Sequence, residues 1–298
     1  MQPLILGGLS GPWAILPPRL LALPDLAHQL HLDTPTCARL LAQPAVPLGH
    51  RELTRNGVIV VLPLYGIVMQ RASARDAAFG VLGLDRFAQA FRAALTDDSV
   101  GGILLDIDSP GGSVNGIAEF AEQVYLGRRR KPIMAVANSL AASAAYWIGS
   151  ATSEFYVTPG GEVGSIGVHC VHEDWSKALN KAGVHTTLIS AGRYKTEQSA
   201  LAPLGHAAKA HIQSRIDAHY AAFTRDVAKH RGVDISDALN GMGQGRLLDA
   251  DRAQREDMVD GVATFDEVAK KLTRRISVRD ASFGKLKDGH ARTHLGAF

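Results

Sequence analysis

The sequence predicts an α/β fold in which helices cover a largely parallel sheet. Two observations support this prediction. First, several runs of strand length are almost continuously apolar, such as residues 58–64 and 101–108. Second, these runs alternate with segments of helix length, such as residues 84–96. Runs of this kind are typical of strands that are buried on both faces of a parallel sheet. No internal repeat occurs, so a duplicated two-half architecture is not predicted.

The elements follow one another in a regular order. Residues 58–64 are β-branched and apolar and predict the first buried strand. Residues 84–96 predict an amphipathic helix, because Leu84, Phe87 and Phe91 fall on one face. The remaining strands are expected at residues 101–108, 132–138, 154–158 and 185–190. The remaining helices are expected at residues 113–127, from about 142, at 173–183, over a long stretch after Pro203, and near 248–256 and 264–275.

Three regions are expected along the 298 residues. Residues 1–55 form an irregular, proline-rich N-terminal arm, residues 56–277 the folded domain, and residues 278–298 a basic C-terminal tail. The net charge is only +3, and the basic end is interpreted as a solvated tail. Cys37 and Cys170 are the only cysteines, so neither a disulfide framework nor a cysteine zinc site is predicted, which suits a reducing compartment. No stretch predicts a membrane-spanning helix.

The first chemical motif is the SPGG turn at residues 109–112, which follows a strand and precedes a helix. Consecutive glycines allow backbone N–H groups to converge on one point, which suits an anion or an oxyanion. A structural turn between a strand and a helix is the commoner reason for such a sequence.

The second motif surrounds Ser143, where a strand runs through small residues into an apolar helix. A serine at a helix start has backbone N–H groups beside its oxygen, which favours the oxyanion of a tetrahedral intermediate. The alternative is an N-cap serine, a role for which Ser139 fits about as well.

The third motif is Lys195, which follows a predicted strand, Gly192 and an aromatic residue. Only a neutral amine accepts a proton, and removing a lysine from water lowers its pKa. On this residue alone, a surface lysine is the better interpretation.

Taken together, these segments resemble the family of signal peptide peptidase A and the phage head-maturation proteases. The shared motifs occur in the same order. They are SPGG at residues 109–112, the small-residue helix at 141–147, a GSIGV strand at 164–168, and a lysine after Gly-x-x at 192–195. The resemblance covers roughly residues 57–275.

The resemblance implies a Clp-like fold of stacked ββα units, which crotonases share, with additional C-terminal helices. It implies Ser143 as the nucleophile and Lys195 as its general base, a known variant of the serine–base arrangement. The implied oxyanion hole consists of the N–H groups of Gly111, Gly112 and Ala144. The substrate backbone is expected to pair by strand addition with Gly164, Ser165, Ile166, Gly167 and Val168.

Polypeptides are therefore the expected partners, and no cofactor or metal is expected. Ala144 and Ala145 after the serine, and the lack of a membrane anchor, favour a phage or prophage capsid protease that cuts scaffold or portal proteins. The location would be the host cytoplasm or the assembling virion. A bacterial enzyme that degrades signal peptides is the alternative. Because the chain has one Clp-like unit, we expect a homo-oligomer whose subunits share each serine–lysine dyad. Nucleic acid is not an expected partner.

Other interpretations stay open. His169 lies close to the position of the histidine base in Clp proteases, and a histidine needs no pKa depression to act near neutral pH. Residues 169–174 could also hold a metal. A crotonase-type enzyme that binds acyl-CoA would use a similar oxyanion hole without the serine, and a catalytically silent assembly protein could share the fold.

Overall fold

The computed structural model of the chain describes residues 12–16, 49–54, 57–73, 76–77 and 80–276. Most of the predicted N-terminal arm and the whole basic tail lie outside the described residues. Two segments of that arm are strands of the sheets, so the described parts of the arm are not irregular.

The described strands are, in chain order, β1 Trp13–Ile15, β2 His50–Thr54, β3 Gly57–Tyr65, β4 Ile67–Met69, β5 Val81–Gly83, β6 Val100–Ser109, β7 Gly111–Ser113, β8 Ile133–Ala142, β9 Glu154–Val157, β10 Glu162–Gly164, β11 Leu247–Asp249 and β12 Gly261–Val262. The described helices are α1 Leu84–Thr96, α2 Ile117–Gly127, α3 Ala144–Ser150, α4 Ser176–Lys181, α5 His206–Arg231, α6 Ile235–Asn240, α7 Ala250–Arg255 and α8 at residues 265–276.

The larger sheet has the order β11-β10-β8-β6-β3-β2, with β9 also paired to β8 and β12 to β9. Its central pairs are parallel, and the antiparallel pairs β2·β3 and β10·β11 lie at its edges. The smaller sheet has the order β1-β7-β4-β5. The predicted α/β class, with a largely parallel sheet and C-terminal helices, is therefore confirmed.

Both faces of the larger sheet are buried, and successive residues of β3 show this. Val60, Leu62 and Leu64 belong to the main core, which also contains buried residues of α1, α2, α3 and α5. Ile59 and Val61 point to the other face, where they cluster with residues of α8 such as Leu272. This alternation is that of a strand with helices on both sides.

Several element predictions are confirmed, and others are wrong. The helix at 84–96 has the predicted bounds, and the strands at 58–64 and 101–108 differ by about one residue at each end. The predicted helix at 113–127 begins only at Ile117, because Gly111–Ser113 forms β7. Residues 185–190 are not a strand: every residue of that run is exposed, and the run pairs with no strand in the described part of the chain. No helix in the described ranges is long and apolar enough to cross a membrane.

Helix α3 is held rigidly behind the end of β8. All seven of its residues are buried. Trp147 stacks on Phe223 of α5 with ring centroids 4.4 Å apart, and its indole N–H donates to Asp226 at 3.2 Å. The hydroxyl of Tyr146 donates to the carbonyl oxygen of Met258 at 3.0 Å. Three contacts, two with α5 and one with Met258, therefore fix the first turn of this helix.

Candidate active site

Ser143 joins β8 to α3 in a backbone conformation that is rare for a residue with a side chain. Its φ is 55° and its ψ is −116°. The residue is 1% exposed, and its side chain makes no capping hydrogen bond to the helix. Outliers of this kind cost about 1–3 kcal/mol and cluster at functional sites. The conformation therefore marks Ser143 as a candidate nucleophile and not as an ordinary N-cap residue.

The alternative cap residue, Ser139, does not cap the helix. Strand β8 continues to Ala142, four residues beyond the predicted end at 138, so Ser139 lies inside the strand. The longer strand arises because β10 pairs in parallel with residues 140–142. That pairing depends on residues distant in the sequence, which explains why the local pattern did not predict it.

The segment at residues 164–168 holds Ser143 in place. The backbone N–H of Ser143 donates to the carbonyl oxygen of Gly164 at 2.7 Å, and its Oγ donates to that of Gly167 at 3.4 Å. Gly164 has a φ of 121°, and a Cβ there would lie 2.8 Å from the carbonyl oxygen of Arg246. Of the GSIGV run that was predicted to be a strand, only Gly164 lies in one, at the end of β10. Residues 165–168 continue past Ser143 and form no β-sheet pairing within the described ranges. The prediction of a strand over the whole run was therefore wrong.

The SPGG turn lies against Ser143. Gly111 has a φ of 99°, and a Cβ placed on it would lie 3.0 Å from the Cβ of Ser143. A Cβ on Gly112 would overlap the carbonyl oxygen of Val68. At both positions, neighbouring atoms lie so close to the glycine α-carbon that a residue with a Cβ would not fit.

Ser109 has a role in this turn that the sequence did not reveal. Its hydroxyl donates to the carbonyl oxygen of Gly66 at 2.6 Å and accepts the N–H of Gly111 at 3.1 Å. Ser109 is completely buried. The N–H of Gly111 is therefore engaged in this structure. The N–H of Ala144, at the first position of α3, has no acceptor within its own helix.

Lys195 is not hydrogen-bonded to these groups in the described part of the protomer. It is exposed, in a turn where its N–H donates to the carbonyl oxygen of Gly192 at 3.1 Å. Over the described ranges no hydrogen bond joins Lys195 to Ser143, whose Oγ contacts Gly167 instead. The structure thus brings together Ser143, the glycine turn and residues 164–168, and it shows no hydrogen bond from the predicted base to Ser143.

His169, the rival base, makes no hydrogen bond to Ser143 either. Its backbone pairs with Trp13, and its Nε2 is buried without a hydrogen-bond partner among the described residues. Burial lowers the pKa of His169. Within the same described part of the chain, no group of three or more His, Cys, Asp and Glu side chains could hold a metal ion.

Asp106 holds the ends of two strands together. It is 7% exposed, accepts the hydroxyl of Tyr65, and accepts the side-chain amide of Asn138 at 3.1 Å. These contacts fasten β6 to β3 and β8 below the glycine turn, which accounts for its burial without a catalytic role.

Comparisons with known proteins identify a peptidase family. Residues 126–279 match the family described as Peptidase family S49. The head-tail preconnector protein GP5 of Enterobacteria phage P21 is 37% identical over 186 residues, which cover 62% of this chain and 37% of that protein. Capsid assembly protease C of Escherichia phage lambda is 35% identical over 185 residues, 62% of this chain and 42% of that protein. Protease 4 of Haemophilus influenzae is 27% identical over 228 residues, 74% of this chain and 35% of that protein. The chain thus matches about two fifths or less of the length of each of these relatives.

Proposed function

The chain belongs to peptidase family S49, and on this premise we propose that it is a serine endopeptidase that uses Ser143 as nucleophile and Lys195 as general base. The observation that carries the proposal is the backbone of Ser143, a buried serine with a φ of 55° beside the glycine turn. Such strain persists only where the surrounding structure imposes it. Here the bond from Ser143 N–H to Gly164 and the packing of α3 impose it.

The reaction follows from the groups around the serine. Ser143 Oγ attacks the carbonyl carbon of the substrate while the base accepts the hydroxyl proton and later transfers it to the leaving amine. The N–H groups of Gly112 and Ala144, with that of Gly111 once it is released from Ser109, stabilise the oxyanion. The tight glycine turn keeps these donors next to Ser143 before the substrate arrives.

A covalent serine probe tests the nucleophile. A fluorophosphonate should label the full chain at one residue, Ser143, as located by peptide mass spectrometry. Ser143→Ala should abolish the labelling, whereas Ser150→Ala should retain it as a matched control, because Ser150 is an equally buried serine whose hydroxyl donates to the carbonyl oxygen of Trp147. Labelling that survives in Ser143→Ala would refute the assignment.

The dyad is completed between subunits in this proposal. Two features support it. Lys195 is exposed and is not hydrogen-bonded to Ser143 in the described part of the protomer. In addition, residues 180–195 are exposed throughout, including Ile189, which is 95% exposed, and Tyr194, which is 58% exposed. Large apolar side chains exposed close together in this way are typical of a surface that another protein covers. A neighbouring subunit that covers the run would also remove Lys195 from water.

Subunit mixing tests the shared site. Ser143→Ala and Lys195→Ala subunits are each inactive, so they are mixed under conditions that allow exchange. In a ring with one dyad at each interface, about a quarter of the contacts in an equal mixture pair an intact serine with an intact lysine, and about that share of activity returns. A dyad within one subunit would give no recovery despite demonstrated exchange.

The biological substrates proposed are capsid scaffold or portal proteins of a phage or prophage. The support is the greater identity to the two phage proteins, 37% and 35%, than to protease 4 at 27%. The enzyme would then act in the host cytoplasm or the assembling virion. Purified scaffold and portal proteins from the genome that encodes the chain should be cut by the wild type and not by Ser143→Ala. Cleavage of signal peptides alone would favour the alternative role.

A further inference from the structure

Strand β1 of the chain itself lies where an extended peptide would bind. On one side it pairs antiparallel with β7, with Ala14 opposite Gly112 and Ile15 opposite Gly111. On the other side Trp13 N–H donates to the carbonyl oxygen of His169 at 2.9 Å, and His169 N–H donates to that of Trp13 at 3.0 Å. We call the cleft between β7 and residues 165–169 the peptide groove. Strand β1 fills this groove and is hydrogen-bonded to both walls.

The side chains of β1 are accommodated like those of a bound peptide. Trp13, Ala14 and Ile15 are 4%, 0% and 2% exposed. Trp13 and Ile15 point to one side, where they cluster with Ile67, Met69 and Val171. Ala14 points to the other side and joins the main core, which includes Ala144. Main-chain pairing combined with pockets for alternate side chains is the usual way in which a groove recognises an extended peptide.

The register places the carbonyl group of Ala14 near Ser143. A Cβ on Gly111 would clash with the carbonyl oxygen of Ala14 and would lie 3.0 Å from the Cβ of Ser143. The Ala14 carbonyl oxygen and the Ser143 Cβ therefore both lie within 3.0 Å of the position that a Cβ on Gly111 would occupy, so the two are close neighbours. The next residue, Ile15, precedes Leu16, whose N–H donates to the carbonyl oxygen of Pro110 at 3.0 Å. Hydrogen bonds of Trp13 and Leu16 thus hold the chain on both sides of the Ala14–Ile15 peptide bond.

We propose that the chain is its own substrate and cleaves the Ala14–Ile15 bond. This inference rests on the proposed function. Ser143 Oγ attacks the carbonyl carbon of Ala14, and the C–N bond to Ile15 breaks. The hydroxyl proton passes through the base to the Ile15 nitrogen, which leaves as an amine. Water then hydrolyses the Ala14 ester, releases the new carboxylate and regenerates Ser143. Whatever precedes Ile15 is separated from the enzyme.

Intact-mass spectrometry of the full chain tests the proposal, with casein added to a parallel sample as an independent substrate. The wild type should lose residues 1–14 and acquire an N-terminus at Ile15, whereas Ser143→Ala should remain whole. Ala14→Arg should slow the cut by about tenfold or more, because a packed site does not accept a larger side chain. Ala22→Arg, the same chemical change outside β1, should be processed at the wild-type rate.

The two levels of the proposal fail in different ways. A wild-type chain that degrades casein but stays whole, or is cut at another bond, would overturn self-cleavage and leave the proposed function intact. A chain that cleaves neither itself nor casein would overturn the proposed function. Cleavage of Ser143→Ala at Ala14–Ile15 would show that another protease is responsible and would also overturn self-cleavage.

Discussion

Replacing Ser143 with glycine should stabilise the fold while it removes the nucleophile. The backbone of Ser143, with a φ of 55° and a ψ of −116°, is unfavourable for any residue that carries a Cβ. Alanine keeps the Cβ and therefore the strain, which costs about 1–3 kcal/mol, whereas glycine relieves it. The greater freedom of glycine in the unfolded chain costs about 0.5–1 kcal/mol. We expect the free energy of unfolding of Ser143→Gly to exceed that of Ser143→Ala by about 0.5–2 kcal/mol.

Urea denaturation and thermal unfolding measure this difference. Each kcal/mol should raise the melting temperature by about 2–4 °C in a domain of this size. Ser150 supplies the matched control, since it is also completely buried and lies in α3. The free energy of unfolding of Ser150→Gly should be lower than that of Ser150→Ala by about 1 kcal/mol, as is usual within a helix. The glycine–alanine difference should therefore have opposite signs at positions 143 and 150.

The reasoning fails if Ser143→Gly is no more stable than Ser143→Ala. That result would mean that the surroundings do not force this backbone into a strained conformation, or that the backbone of the Ser143→Ala variant relaxes to an unstrained one. The backbone of Ser143 would then no longer support a catalytic role, and the proposed function would rest on family membership alone.

Two further predictions concern pH. The rate of peptide hydrolysis should rise with pH on the alkaline side of neutrality, because a lysine base must lose its proton. Burial lowers the pKa of His169. A rate that has stopped rising with pH before neutrality would therefore indicate the histidine as the base. Burial, with a smaller effect of Lys229, also lowers the pKa of His230 to about 4. Because the unfolded chain protonates this histidine at about 6.5, stability should be full above that pH and fall by up to about 3 kcal/mol between pH 6.5 and 4. In urea melts at both ends of this range, His230→Phe should lose less stability than the wild type, and an equal loss would contradict the assignment.

Local sequence patterns predicted the elements whose signals are local. The apolar face of residues 84–96 defined α1 with its bounds, because helical spacing depends only on neighbouring residues. The β-branched run at residues 185–190 predicted a strand wrongly. Backbone pairing requires a partner strand, and the described part of the protomer provides none for this run.

The candidate site was predictable in its residues but not in its geometry. The motif order identified Ser143 and the glycine turn, which the structure places side by side. The strain at Ser143 depends on β10, whose pairing with β8 brings together residues about 20 positions apart in the sequence. Strand β1 was missed because three residues within a proline-rich stretch have no periodicity, and its pairing with β7 spans almost a hundred positions.

Single substitutions at the three candidate positions test the central claim most directly. The measurement is the rate at which the purified full chain hydrolyses casein. Ser143→Ala and Lys195→Ala should each lower the rate by about 100-fold or more, and the double variant should be little worse than either, because the two residues act as a unit. His169→Ala should keep substantial activity. An inactive His169→Ala together with an active Lys195→Ala would contradict the account and assign the base to the histidine.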